Sequence, residues 1–174
     1  MKELSYWLMK IKFKIKNDKE IISDYFRKAG MKIGGECNIC CNIMTTEPYL
    51  VIIGNNVTIS GNVKFVTHDN SISKLSPEYV NLFGYITIGD NCFLGQNTTI
   101  MYGSTLANNI IVASGSVVCN SFTEENIIIA GNPARKIGTW DSLKNKGPMS
   151  MKRKEAFEAA KRKEYWRFIK RKEI

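Results

Sequence analysis

Branched aliphatic residues recur at every sixth position in the second half of the chain. From Ile88 the sequence divides into the hexads IGDNCF, LGQNTT, IMYGST, LANNII, VASGSV and VCNSFT. The first position is always Ile, Leu or Val. The third and fourth positions are rich in Asn, Gly and Asp, which favour turns and tolerate a left-handed backbone. The same phase occurs upstream at Ile33, Ile39, Ile53, Ile59 and Phe65. So short a period predicts a solenoid.

Three hexads are expected to form one coil of a triangular prism. One apolar residue from each face points inward, and successive coils stack through parallel strand pairs. Because no single coil can bury its own apolar side chains, stability has to come from stacked neighbours. The pattern from Ile33 to Thr123 therefore predicts an all-β solenoid, a parallel β-helix of about four coils.

One long segment interrupts the repeat. Phe65 opens the third face of a coil, but the pattern returns only near Ile86, so residues 67–84 are predicted to protrude as a loop. A long loop in a compact domain is usually functional. This loop begins at His68, the only histidine of the chain. An imidazole can accept a proton near neutral pH, as a general base must, but for a lone histidine taken by itself a solvated loop residue is the expected interpretation.

The two ends of the chain follow other patterns. Residues 18–29 predict a short helix with Asp18 as its N-cap and Gly30 at its end. The preceding KIKFKIK alternates like a strand and also fits a helix with lysine all round. Residues 149–174 predict a basic helix that packs on the solenoid or on a neighbouring subunit, with a membrane surface as the alternative. The predicted domains are a helical and basic segment at 1–32, a hexapeptide-repeat catalytic domain at 33–140 and a basic helical tail at 141–174.

Charge and hydropathy restrict the partners and the location. The net charge of +9 is concentrated at the ends. Residues 1–19 carry a net +4 and residues 149–174 a net +6, whereas 20–148 carry −1. Basic ends can steer a protein toward an anionic membrane surface, nucleic acid or an acidic ligand, and a solvated helical face explains them at least as well. No apolar run is long enough to span a bilayer, and the lysines near the N-terminus argue against a signal peptide, so we expect a cytoplasmic protein.

The five cysteines predict no metal site. Cys37 and Cys40 have the spacing of a metal or redox pair, but no second pair follows and one histidine cannot complete a zinc site. Small buried hydrophobes are therefore the expected role of the cysteines. The single histidine also argues against a carbonic-anhydrase-like zinc enzyme.

The hexads, the interruption VTHDN…ITIGDN and the segment ENIIIAGNPARKIG at 125–138 together resemble the left-handed β-helix acyltransferases. The closest branch is that of the sugar O-acetyltransferases, which includes maltose, galactoside and capsule or O-antigen enzymes. The resemblance covers roughly residues 18–140. It implies a left-handed coil and a homotrimer with active sites between subunits. It also implies transfer of acetyl from acetyl-CoA to a hydroxyl of a sugar or surface-polysaccharide precursor.

The resemblance also implies roles for individual residues. His68 matches the general base, although the Val66-Thr67-His68 setting lacks the glycine of the maltose and galactoside type and is closer to the polysaccharide type. Asp69 and Glu78, as well as backbone carbonyls, are candidates for orienting the imidazole or contacting the acceptor. Asn42 matches a substrate-binding asparagine approximately. The expected coenzyme A contacts are Phe93, Gln96, Ala113, Ser114, Arg135 and Lys136.

One departure from the family pattern concerns the cofactor. Members often have a Thr-Lys pair after the final hexads, where this chain has Cys119-Asn120, so one phosphate-binding lysine is missing. The alternatives that share the fold are an amino-sugar N-acetyltransferase, an antibiotic acetyltransferase and a non-catalytic scaffold. No nucleic-acid partner and no metal are expected. The absence of a glycine-rich phosphate loop argues against a nucleoside triphosphate.

Overall fold

The computed structural model describes residues 3–144 and 153–162. The chain divides into two compact units, Met1–Ile137 and Gly138–Ile174. The first unit begins with helices α1 (Glu3–Lys16) and α2 (Glu20–Lys28) and continues into a series of short strands. The second contains the helices α3 (Trp140–Lys144) and α4 (Arg153–Arg162).

The strands are short because each covers one face of a coil. In chain order they are β1 (Lys32–Ile33), β2 (Asn38–Ile39), β3 (Val51–Ile53), β4 (Thr58–Ile59), β5 (Lys64–Val66), β6 (His68–Asp69), β7 (Leu82–Phe83), β8 (Ile86–Ile88), β9 (Phe93–Leu94), β10 (Thr99–Met101), β11 (Thr105–Leu106), β12 (Ile111–Val112), β13 (Val117–Val118), β14 (Ile127–Gly131) and β15 (Ala134–Thr139).

Three parallel sheets form the faces of the solenoid. Sheet A has the order β1-β3-β8-β11, sheet B the order β15-β14-β12-β9-β4-β2, and sheet C the order β13-β10-β5. From β8 the chain visits sheets A, B and C in turn and then repeats the cycle, as a triangular coil requires. The prediction of a parallel β solenoid is therefore confirmed.

The side chains at the first hexad position fill the interior. Ile59, Leu94, Ile100 and Val112 are among those fully buried, and every first-position residue from Ile33 to Val118 belongs to one core cluster. The fourth position adopts a left-handed backbone, with φ of 52° at Asn56 and between 55° and 60° at Asn62, Asn91, Asn97 and Asn109. Asparagine tolerates this conformation better than most residues, which explains its frequency at the corners.

The interruption is an ordered excursion and not an open loop. β6 and β7 pair antiparallel, with His68 opposite Phe83 and Asp69 opposite Leu82. A 3₁₀ turn at Ser71–Lys74 lies between them. The excursion closes where the Gly84 N–H donates to the Thr67 carbonyl at 3.2 Å. A short ladder therefore holds the two ends of the excursion together at the point where the chain leaves the prism.

Replacement of Gly84 by alanine should destabilise this closure. An added Cβ would lie 2.5 Å from the Gly103 nitrogen, a backbone atom that cannot rotate away. Overpacking of this kind costs about 1–3 kcal/mol, which urea denaturation would measure. Gly61→Ala is the matched control, because its Cβ would meet only the Gln96 side chain at 4.0 Å. Equal unfolding midpoints for the two variants would contradict the prediction.

The N-terminal segment consists of two helices. α1 packs through Tyr6, Met9 and Phe13 onto the same core as Ile22 and Phe26 of α2. The KIKFKIK segment, which fitted either a strand or a helix, is the second half of α1. Tertiary packing decides between them, since Met9 and Phe13 lie four residues apart and share one helical face. α2 begins at Glu20 and not at Asp18, yet the Asp18 carboxylate accepts the Glu20 N–H at 3.0 Å.

Two further expectations are answered in part. The helix predicted for 149–174 is confirmed at Arg153–Arg162, and the rest of that prediction lies outside the described residues. Cys37, Cys41 and Cys92 are buried as expected, but the expectation is wrong for Cys40 and Cys119, which are exposed because they follow inward positions.

Within 3–144 and 153–162, no helix has the length and hydropathy needed to cross a membrane.

Candidate active site

His68 lies at the corner where the chain leaves sheet C, and it has a carboxylate partner. Its Nδ1 is 2.8 Å from Oε2 of Glu47. The Glu47 side chain is only 14% exposed, whereas that of His68 is 40% exposed. The imidazole also packs against Phe83, with the ring centroids 5.8 Å apart. The half-buried carboxylate and the aromatic ring therefore hold an imidazole that stays partly exposed.

Two threonines donate to the Glu47 carboxylate, and a third extends their network. The Thr67 hydroxyl donates to Oε2 at 2.7 Å, and the Thr46 hydroxyl donates to Oε1 at 2.6 Å. Thr45 Oγ1 lies 2.6 Å from Thr67 Oγ1 and extends the network. Desolvation raises the pKa of Glu47, but the hydrogen bonds from Thr46, Thr67 and His68 together outweigh it and hold the pKa below its usual range. Glu47 is therefore ionised at neutral pH.

The fold brings Glu47 beneath His68 through the coil repeat. In the first two coils the register offset is 20 residues, since Lys32 pairs with Ile52 and Asn38 with Thr58. The same offset places residue 47 one coil below Thr67. Glu47 lies at the start of the 3₁₀ turn Pro48–Leu50, whose Leu50 is buried and anchors the segment. Two irregular segments thus occupy the same corner of consecutive coils.

This arrangement has the chemistry of a general base. An ionised carboxylate can only accept, so its hydrogen bond assigns the proton of a neutral imidazole to Nδ1. Nε2 then carries the free lone pair. His68 lines a groove of about 440 Å³ together with Met44, Thr45, Thr46, Phe65, Val66 and Thr67. A hydroxyl that enters the groove can be deprotonated by Nε2.

Thr67→Val should weaken the network that holds Glu47. Thr67 is almost fully buried and donates to a carboxylate, and a hydrogen bond to a charged group contributes about 1.5–3 kcal/mol. We expect a loss of about 2 kcal/mol in urea unfolding at neutral pH. Thr46→Val is the matched control, with a smaller loss because its hydrogen bond is exposed. An equal loss in both variants would contradict the special role of Thr67.

The group that holds His68 was not among the sequence-based candidates. The Asp69 carboxylate accepts the Ser71 N–H at 2.7 Å, and the Glu78 side chain is exposed in the excursion. Neither makes the contact that Glu47 makes. The sequence did contain a signal, because TTEPYL breaks the repeat and its Glu47 lies 20 residues before Thr67 of VTH. A contact of Asp69 or Glu78 with an acceptor remains a prediction.

Asn42 lies apart from the imidazole groove. It lines two larger grooves of about 630 and 640 Å³, which it shares with Tyr6 and Lys10 of α1. Its Oδ1 is buried and, among the described residues, has no hydrogen-bond partner. Within one chain, the groove at His68 does not include Asn42.

Three of the predicted coenzyme A residues share another corner of the prism, and the other three lie on sheet B. Gln96, Ala113 and Ser114 lie in stacked turns at the corner between sheets B and C, where the Gly115 N–H donates to the Gln96 carbonyl at 2.8 Å. Phe93 is 41% exposed on sheet B. On β15, Arg135 donates to the neighbouring Ala134 carbonyl. Lys136 forms an exposed ion pair with Glu124.

His68 and this corner lie at opposite ends of the sheet C strands. Thr99 pairs with Lys64, so Gln96 has the same position in its coil as Gly61. Gly61 and His68 are seven residues apart, which corresponds to a separation on the order of 20 Å along extended chain. One chain therefore holds the imidazole and the predicted coenzyme A residues at different edges.

Comparisons with known proteins agree with the fold. The family described as "Hexapeptide repeat of succinyl-transferase" matches residues 85–119. Protein CapG of Staphylococcus aureus is 40% identical over 152 residues, which are 84% of this chain and 83% of CapG. Galactoside O-acetyltransferase of Escherichia coli K12 is 30% identical over 97 residues, 55% of this chain and 47% of that protein.

A solved structure extends the comparison. A hexapeptide-repeat-containing acetyltransferase from Vibrio cholerae, complexed with acetyl coenzyme A, has 25% identity and a TM-score of 0.58. The alignment covers 63% of this chain and 60% of that one. Together with the three-faced parallel solenoid of hexapeptide repeats, these matches identify the chain as an acyltransferase. The chain belongs to the hexapeptide-repeat acetyltransferases, in their sugar O-acetyltransferase branch.

Proposed function

We propose that this protein transfers an acetyl group from acetyl-CoA to a hydroxyl of a sugar or surface-polysaccharide precursor, with His68 as general base. The observation that carries the proposal is the hydrogen bond between Glu47 and Nδ1 of His68 beside an open groove. The O-acetyltransferase relative supports a hydroxyl acceptor. The solenoid is proposed to be left-handed, with about four coils, as in the family.

The proposed reaction is a direct transfer. Nε2 of His68 accepts the proton of the acceptor hydroxyl while the oxygen attacks the thioester carbonyl. The carbon–sulfur bond then breaks, the acetyl ester forms, and the proton on the imidazolium passes to the departing coenzyme A sulfur. Glu47 keeps the imidazole in the productive tautomer and stabilises its positive charge in the transition state.

Acetyl-CoA as the donor is supported by the Vibrio cholerae acetyltransferase, whose structure contains it. In this chain the turn at Ala113–Ser114 offers only small side chains, so an extended pantetheine arm can approach the backbone. Gly95 packs directly beneath, since a Cβ there would lie 2.5 Å from the Ser114 nitrogen. Arg135 is exposed and can meet phosphates. Lys136 would first have to leave Glu124.

A homotrimer with active sites between subunits forms part of the proposal. The coenzyme A corner and His68 are separated within one chain, so a second copy is needed to complete the site. The outer face of sheet B offers a contact surface. Phe93, Ile111 and Ile128 stack there in register on adjacent strands, and an apolar ladder on a flat sheet favours burial against a partner.

Ile111→Asp should dissociate the trimer and abolish transfer at the same protein concentration. A carboxylate on a buried apolar contact is costly unless it is paired. Sedimentation velocity would report the change in mass, and an acetyl-transfer assay the activity. Thr105→Asp is the control, because this residue faces outward from sheet A and is exposed. A monomeric wild-type protein with full activity would contradict the proposal.

A cytoplasmic location with peripheral membrane contact through the basic termini completes the proposal. An acceptor attached to the bilayer through a lipid pyrophosphate would bring the reaction to that surface. The net +4 of residues 1–19 and the net +6 of residues 149–174 support attraction to anionic lipid.

The function is tested by a transfer screen with acetyl-CoA. The acceptors are sugars, nucleotide sugars, amino sugars and antibiotics, and product formation is followed by mass spectrometry together with release of free thiol. We expect an acetyl ester on a sugar hydroxyl, and loss of product with His68→Ala. An amide product would instead identify an amino-sugar N-acetyltransferase. An acetylated antibiotic would identify a resistance enzyme.

A further inference from the structure

Helix α1 has two apolar faces, and the protein uses only one of them. Tyr6, Met9 and Phe13 pack on the core. A second set of large apolar side chains is exposed to solvent, with exposed fractions of 69%, 59%, 55%, 37% and 79% at Leu4, Trp7, Leu8, Ile11 and Ile15. We call this set the α1 stripe. Such a set on the surface of a protein usually marks a binding surface.

The α1 stripe is continuous and lies opposite the packed face. With 3.6 residues per turn, Leu4, Trp7, Leu8, Ile11 and Ile15 fall within an arc of about 100°. The packed residues Tyr6, Met9 and Phe13 are centred on the other side of the helix. The protein thus holds α1 by one face and presents the α1 stripe outward along a length of about 17 Å.

Lysines border the α1 stripe on both sides. Lys10 and Lys14 follow one edge, and Lys12 and Lys16 follow the other, at the spacing that the helical period gives. Their alkyl stems can lie along the apolar surface while the ammonium groups reach outward. After Glu3, α1 contains no acidic residue. The helix therefore combines an apolar centre with cationic edges.

We propose that α1 is a membrane-binding element that lies in the interface of an anionic bilayer. An amphipathic helix with Trp and Leu on one side and Lys at its borders is suited to that position, where the apolar side chains enter the acyl boundary and the lysines meet phosphate headgroups. Charge complementarity favours a lipid surface over a second copy of the chain as the partner of the α1 stripe. Two α1 stripes facing each other would place lysines against lysines, whereas an anionic surface pairs with both edges at once.

This inference rests on and deepens the peripheral membrane contact of the proposed function, and it is independent of acetyl transfer. It assigns peripheral contact to a defined face of α1, whereas the sequence suggested only a diffuse attraction by basic ends. Because α1 and the solenoid share one core, bound α1 would hold the catalytic domain at the lipid surface. The local concentration of any acceptor anchored there would then rise.

Vesicle cosedimentation of the full chain tests the proposal. The vesicles contain either phosphatidylcholine alone or equal parts of phosphatidylcholine and phosphatidylglycerol. We expect binding to the mixed vesicles that weakens at high salt, and little binding to neutral ones. Leu8→Ser with Ile15→Ser should lower the partition coefficient by about tenfold or more. Lys12→Gln with Lys16→Gln should reduce both binding and its dependence on phosphatidylglycerol.

The controls distinguish a membrane-binding face of α1 from a subunit contact and from a general effect of losing surface apolar area. Ile15→Ser is compared with Ile137→Ser, because Ile137 is a similarly exposed isoleucine, 64% against 79%, outside α1. An equal loss of binding in these two variants would overturn the proposal, as would a wild-type chain that fails to bind mixed vesicles. Dissociation of the oligomer by the α1 substitutions, seen in sedimentation velocity, would overturn it too by making α1 a subunit contact. Transfer to a free sugar should be unchanged.

Discussion

His68→Ala should lower the rate of acetyl transfer by about 10²- to 10⁴-fold, since a positioned general base contributes about that much. The substitution leaves the fold intact, because the imidazole is 40% exposed and lies at the start of the excursion. Steady-state release of coenzyme A with the acceptor found in the screen would give kcat and KM. The loss should fall mainly on kcat, because the base acts in the chemical step.

His68→Asn is the matched variant for this experiment. Its amide can still donate a hydrogen bond toward Glu47, but it cannot accept a proton at neutral pH. We expect it to be as inactive as His68→Ala while its unfolding midpoint and oligomeric mass match those of the wild type. An active His68→Asn enzyme would show that the imidazole has a structural role and that another group is the base.

Glu47→Gln should reduce kcat by about a hundredfold, with a small effect on the KM for acetyl-CoA. The amide can present either oxygen or nitrogen to Nδ1, so the imidazole tautomer and orientation are no longer fixed, and misplacement of a reacting group can cost about that factor. Glu47 touches neither substrate in this proposal and acts through His68 as a positioning residue. Separate measurement of kcat and KM distinguishes this role from a binding role.

A double-mutant cycle supplies the control. If Glu47 acts through the imidazole, Glu47→Gln should have almost no further effect on the rate in a chain that already carries His68→Ala. Additive losses in the double variant would contradict the positioning role. Partial activity of Glu47→Asp, which keeps the charge on a shorter side chain, would agree with it.

Glu47 should also give the fold a pH dependence. Its pKa is lowered in the folded chain by the hydrogen bonds that outweigh desolvation. The stabilisation is therefore fully present above the ordinary carboxyl pKa and is lost as the pH falls through the lowered folded-state value. Unfolding free energies of the wild type and of Glu47→Gln should differ at neutral pH and converge in acid. A difference that is independent of pH would contradict this assignment.

Much of the fold could be predicted because the repeat is local. Ile88, Leu94 and Ile100 follow one another at six-residue intervals and are all buried. Because every hexad forms one face and one corner, the first residue of each hexad points inward. The asparagines at the corners were informative for the same reason. The segment of α1 was ambiguous because its lysines and isoleucines fit two periods at once. Packing of Met9 and Phe13 on the core selected the helix.

The candidate site could be predicted only in part. The lone His68 at the break of the repeat was visible in the sequence, and its position agrees with the groove. Its partner was not identified, because Asp69 and Glu78 are near in sequence whereas Glu47 is near in space. A contact between adjacent coils depends on the number of residues per coil. The irregular segment at 45–52 does not follow the six-residue repeat, so the number of residues in this coil could not be read from the sequence.

The sequence by itself determined the solenoid, the residues whose side chains point into it, and the position at which the chain departs from the repeat and carries the imidazole of His68. These features depend on a pattern that recurs every six residues, so neighbouring residues are enough to reveal them. Only the tertiary structure decided which carboxylate holds that imidazole and which face of α1 remains exposed. Both depend on the stacking of segments that are distant in the chain, and burial against those segments fixes hydrogen bonds and exposed faces that no local pattern encodes.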